Sequence, residues 1–207
     1  MNATQFTADE FDALRELTNI GMGRAGAKLS ELFESKVKLS VPQVAIVPQS
    51  AMIDLVNEFG KDGSPLNIVQ QEFIGEMVGR SSVMFGGTTF TSLMEYLGYD
   101  EEDGKSKSIQ REILNELTNV INSASLSGLS DELQLNIHLA QPAVLEFETP
   151  SGQVDGSRLT EKNSDAQILL IDIKLEIEEK GVNCNNVISL KEEGMTNLVT
   201  SLRNLMA

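Results

Sequence analysis

The 207 residues carry 31 acidic and 16 basic side chains, a formal net charge of −15, with 41% hydrophobic and 23% charged residues. Such values exclude a disordered chain, and the acidic excess repels phosphate backbones and anionic lipid, which argues against nucleic acid and membrane surfaces as partners. The single cysteine, Cys184, excludes an internal disulfide, and it has no cysteine or histidine neighbour at metal-ligand spacing, so it reads as a passive residue near a hairpin turn.

Residues 1–6 contain neither a basic segment nor an apolar stretch of signal type, and no run of about 18 apolar residues occurs. A soluble, unexported, cytoplasmic protein is expected, folded as a single domain over residues 1–207. In chain order, Thr7 and Glu10 have the spacing of a capping box and open a helix that runs to about Phe33. Gly21, Gly23 and Gly26 interrupt it, and each lowers helix propensity by about 1 kcal/mol, so something packs close to that stretch. At 100° per residue Leu14, Leu17, Gly21 and Ala25 share one side, whereas Asp12, Glu16 and Asn19 share the other and face outward.

Val37 to Val47 alternates as a strand, with Pro42 tolerated at an edge or bulge, and Ser50 to Phe59 reads as a short helix. Asn67 to Val78 and Ser81 to Phe85 form a hairpin around Gly79-Arg80, and Thr88 to Leu97 a helix ended by Gly98. Asp100 to Lys107 is the natural linker. Ile109 to Leu129 then reads as a second long helix, with Leu114, Leu117 and Ile121 buried and Glu112, Glu116 and Asn119 opposite. Leu133 to Pro142 alternates strictly as a strand that places His138 on its polar face, and Thr149 to Asp165 reads as a loop. A hairpin around Lys180-Gly181, from Ala166 to Leu190, and a helix from Lys191 to Met206 close the chain.

Glu16-Leu17-Thr18-Asn19 recurs as Glu116-Leu117-Thr118-Asn119, and in each copy a proline, Pro42 or Pro142, follows 23 residues after the asparagine. Both anchors share one offset of 100 residues, and the order helix, strand, strand, strand, helix occurs twice. The expected fold is therefore α+β: one pseudo-twofold duplicated domain with half-repeats at about 7–99 and 108–207, a six-stranded, mainly antiparallel sheet, and two long helices side by side on one face. Strand order does not follow from these patterns.

Packing alone preserves Leu14/Leu114 and Leu17/Leu117, but gives no reason for the outward Glu16/Glu116 and Asn19/Asn119 to match. A glutamate and an asparagine at i and i+3 set a fixed anion beside a neutral donor and acceptor. That pair has no nucleophile and no metal-ligand set, yet a carboxamide can hold a water for in-line attack and a carboxylate can pair with a partner's lysine.

In these residues the chain resembles the CheC, CheX and FliY family of chemotaxis phosphatases. The family pattern is Asp or Ser, three residues, Glu, two residues, Asn, then 22 residues and Pro. Asp12, Glu16, Asn19 and Pro42 match it fully; Glu116, Asn119 and Pro142 match it in the second copy, where Glu112 replaces Asp or Ser. Two motif-bearing halves in about two hundred residues are most like CheC. The resemblance implies hydrolysis of the aspartyl phosphate of a CheY-type response regulator, with Asn19 and Asn119 orienting water and Glu16 and Glu116 pairing with the regulator's lysine. It leaves Asp12, Glu112, Pro42 and Pro142 as auxiliary positions, puts magnesium on the regulator with no cofactor of the chain's own, and implies the deamidase CheD as a second partner. Positioning alone lowers a barrier by up to roughly 7–11 kcal/mol in ideal cases, so no ionising catalytic group is needed. The competing expectation is a non-hydrolytic adaptor or phospho-sink that uses the same face.

Overall fold

The computed structural model describes residues 6–59, 66–86, 94, 98–100, 106–147, 167–177, 182–190 and 192–207. The expected helix at 88–97, apart from Met94, most of the linker at 100–107 and the loop at 149–165 fall outside them. The elements are α1 (Ala8–Leu32), β1 (Val37–Pro48), α2 (Ala51–Phe59), β2 (Leu66–Gly75), β3 (Gly79–Gly86), α3 (Lys107–Leu133), β4 (Ile137–Leu139), β5 (Ala143–Phe147), β6 (Gln167–Ile177), β7 (Val182–Leu190) and α4 (Glu192–Met206). The fold is α+β, as expected.

Thr7 caps α1: Glu10 N–H donates to Thr7 Oγ1 at 3.2 Å, and Thr7 N–H donates to Glu10 Oε2 at 2.7 Å. The described strands form one antiparallel sheet in the order β1-β6-β7-β3-β2-β4, with β5 also on β2. Each edge strand thus lies beside a hairpin distant in sequence: β1 on the β6/β7 hairpin, and β4 with β5 on the β2/β3 hairpin. The sheet therefore consolidates only when long-range pairs form.

The count is seven strands, not the expected six, because the segment predicted as one strand from Leu133 to Pro142 divides. Leu133 is the last residue of α3, where it continues the buried spacing of Leu126 and Leu129, and Gln134 ends the helix with φ of 54°. An alternating apolar pattern that starts on a helix's buried face mimics a strand from its first residue. The chain then pairs over Ile137–Leu139, leaves the ladder at 140–142, and re-pairs from Ala143. Pro142 lies in that gap, and Pro42 lies in the register shift of β1 between Ser40 and Gln43. A proline cannot donate to the ladder, so both sit on edge strands where pairing is already interrupted.

The first hairpin turns three residues earlier than expected, after Gly75, whose φ is 127°; Gly79 and Arg80 already belong to β3. Gly79 has no room for a Cβ, which would collide with the carbonyl oxygen of Ser189 and the Phe73 ring. Glycine there serves packing rather than the turn.

The long helices α1 and α3 pack side by side against one face, together with α4; Leu14, Leu126, Leu129, Ile171, Ile173 and Leu198 are fully buried among them. On the opposite face α2 covers Ile68, Met84 and Leu170 with Met52 and Val56. No helix among the described residues is long and apolar enough to cross a membrane.

Candidate functional site

Asp12, Glu16 and Asn19 all lie exposed on α1, and Glu112, Glu116 and Asn119 all lie exposed on α3. Thr18 and Thr118, inside the same repeated tetrapeptide, turn the other way and are fully buried; Thr18 Oγ1 donates to the Leu14 carbonyl at 2.6 Å. The tetrapeptide thus divides its roles by helical phase, two residues inward for packing and two outward.

On α3, the positions 112, 115, 116 and 119 form one stripe, and the break between β4 and β5 supplies a facing wall. Glu112, Asn115, Glu116, Asn119, Leu139, Ala140, Gln141 and Pro142 line one open cleft. All four residues singled out in the second copy therefore meet in one place. Among the described residues its lining holds two carboxylates and several amides and no cation. On the other flank of Glu112 and Glu116 runs a groove lined by Phe33, Tyr99, Ile113, Leu117 and Val120. The acids stand between a polar cleft and an apolar one.

Asp12 pairs with Arg15 at 3.6 Å between two solvent-exposed side chains, an arrangement that contributes little to stability. Ile20, beside Asn19, is 44% exposed, so an apolar residue borders the amide there. Pro42 lies beyond α1 in β1, as Pro142 lies beyond α3.

Four site residues escaped the sequence reading: Asn115, Gln141, Gln71 and Asn122. Gln71 Nε2 donates to Asn119 Oδ1 at 3.2 Å, and Asn122 Nδ2 donates to Gln71 Oε1 at 2.8 Å. A signal for Asn122 was available, since it interrupts the buried stripe of α3 with a polar residue where the offset position, Met22, is apolar. His138 is exposed on β4, on the polar face where the alternation put it. Cys184 is buried in β7, and burial pushes its thiol up to about 12, so it stays protonated and unreactive at neutral pH.

Residues 10–46 match the model of the CheC-like family, a span that holds Asp12, Glu16, Asn19 and Pro42. The CheY-P phosphatase CheC of Bacillus subtilis (strain 168) is 25% identical over 142 residues, which is 66% of this chain. The match spans 66% of that relative's own length, just under two thirds. The fold is similar to FliY of Thermotoga maritima, at 19% identity and a TM-score of 0.67 over 96% of this chain and 98% of that one. It is also similar to a chain of the FliG-FliM complex from H. pylori, at 8% identity and a TM-score of 0.60 over 92% of this chain and 100% of that one.

Proposed function

We propose that the chain, which is similar to CheC-like proteins in sequence and to FliY in fold, is a phosphatase that hydrolyses the aspartyl phosphate of a CheY-type response regulator, at two sites built on a duplicated half-domain. The observation that carries this reading is the meeting of Glu112, Glu116, Asn119 and Pro142 in one open cleft whose described lining is acidic and amide-bearing. A site of that kind suits a substrate that brings its own positive charge.

In the proposed reaction the regulator docks with its lysine against Glu116 or Glu16, and the asparagine three residues on enters the phosphorylated pocket. The carboxamide oxygen accepts a hydrogen bond from a water and aims the water oxygen at phosphorus, opposite the aspartyl oxygen. The new P–O bond forms as the bond to the aspartyl oxygen breaks; the aspartate leaves as a carboxylate, and the water's proton passes to the departing phosphate and solvent. Positioning supplies the acceleration. The divalent cation this chemistry uses belongs to the regulator.

The second reading is an adaptor or phospho-sink that uses the same face to bind the phosphorylated regulator, or a CheD-type deamidase, without hydrolysis. The lifetime of a phosphorylated receiver domain separates the two. A catalyst shortens it at substoichiometric amounts; an adaptor leaves it unchanged while binding saturably.

A further inference from the structure

Beneath Asn119 runs a chain of buried polar groups. Gln71, in β2 and 1% exposed, donates from Nε2 both to Asn119 Oδ1 at 3.2 Å and to the Ala140 carbonyl at 2.8 Å. Its Oε1 accepts from Asn122 Nδ2 at 2.8 Å, while Asn122 Oδ1 accepts from Ser81 Oγ at 2.7 Å and from Asn186 Nδ2 at 2.9 Å. Ser81 Oγ also stands 2.5 Å from Asn186 Oδ1. Asn122, Ser81 and Asn186 are wholly buried, so breaking any link leaves a desolvated polar atom unpaired. The network is stiff for that reason.

In the first half the positions that match Asn122 and Gln71 are apolar, while Asn186, opposite Ile173 as Ser81 is opposite Gln71, bonds instead to Asn122. Offset by 100 residues, Asn122 falls on Met22. Gln70 pairs with Ala143 as Asp172 pairs with Gln43, so Ile173 stands where Gln71 does. Met22 and Ile173 are both buried in the same apolar cluster, and among the described residues the Asn19 side chain has no hydrogen-bond partner.

We propose that Gln71 and Asn122 are positioning residues that hold the Asn119 carboxamide in one orientation and make the second site the faster of the two. The inference rests on the reading of the asparagines as water-orienting groups. A carboxamide oxygen has two lone pairs, and the terminal torsion of asparagine is broad when nothing holds it. Gln71 occupies one lone pair of Asn119 and stops the rotation, leaving the other lone pair and the N–H donors for the cleft. Asn19 has to be ordered anew in each encounter.

The test uses single-site proteins: Asn19→Ala leaves the second site, Asn119→Ala the first, each with and without Gln71→Met. Phosphate release is followed on a receiver domain phosphorylated by a small-molecule donor. The Asn19→Ala protein should keep most of the turnover. Gln71→Met should lower its kcat about three- to tenfold, the cost of re-ordering one side chain, with KM unchanged. In the Asn119→Ala background Gln71→Met should change nothing, which also reports an intact fold. Gln71→Glu, which keeps the acceptor for Asn122 and removes both donors, should repeat the pattern. Equal kcat at the two sites, a fall in both backgrounds alike, or an effect confined to KM overturns the inference. Undiminished turnover after both asparagines are replaced refutes the underlying reading instead.

Discussion

Gly21 of α1 and Gly128 of α3 meet backbone to backbone, and a Cβ on either would run into the carbonyl oxygen of the other. The two long helices that carry the paired Glu and Asn side chains are thereby locked at their closest approach. Gly21→Ala should force them apart and cost about 1–3 kcal/mol, as overpacking does, with a fall in Tm of about 2–12 °C for a chain of this size. Gly23 makes the control, because nothing lies within 4 Å of where its Cβ would be and the residue is exposed. Gly23→Ala should raise stability by about 0.5–1 kcal/mol through helix propensity alone. Thermal unfolding of the pair checks both signs.

Glu10 ties the start of α1 to α4: Arg203 Nε donates to its Oε1 at 2.6 Å, in addition to the cap made with Thr7. The Arg203 guanidinium first, and the Thr7 N–H second, hold the Glu10 carboxyl below its ordinary value of 4.5. A carboxyl lowered in the folded state stabilises the fold above 4.5, and that contribution fades as pH falls through the lower folded value. Glu10→Gln keeps the capping geometry, so it should cost about 1 kcal/mol at neutral pH and flatten the loss of Tm below pH 4.5. Asp172 acts in the opposite sense. Burial raises it above 3.8, so what it contributes is present at low pH and lost as pH rises through that higher value. Tm measured against pH for Glu10→Gln and the parent isolates the first effect.

The two glutamates are read as docking groups, and docking predicts a particular kinetic signature. Glu116→Ala in the Asn19→Ala background should raise KM about tenfold, equivalent to about 1.4 kcal/mol, with a smaller change in kcat. Added salt should weaken the parent's encounter with the regulator and have less effect on the variant, since screening acts on the removed charge. Steady-state kinetics at two ionic strengths decide it.

Much of the fold was legible in the sequence where a local rule has one cause. The capping box set the start of α1, and apolar spacing gave both long helices and the buried side of each. Misreadings arose where two patterns share residues: Leu133, Leu135, Ile137 and Leu139 alternate like a strand, yet Leu133 finishes the buried stripe of α3. Gly79 looked like a turn residue and instead gives room to Phe73 and Ser189. Of the three helical glycines, Gly21 and Gly26 do face close backbone, at Gly128 and Val37, and Gly23 does not. Strand order was out of reach because each edge strand pairs with a hairpin far away in the chain. The outward amides could be named from their repeat; Gln71 could not, since it reaches Asn119 across 48 residues and lies in a strand whose alternation gives no sign of a partner.

The most direct measurement is the rate of phosphate loss from a phosphorylated receiver domain in the presence of the parent chain and of the Asn19→Ala, Asn119→Ala double variant. The parent should accelerate release at substoichiometric amounts, and the variant should lose about 100-fold or more of that acceleration while unfolding at the parent's temperature, because both side chains are exposed. Full acceleration by a folded double variant would contradict the account.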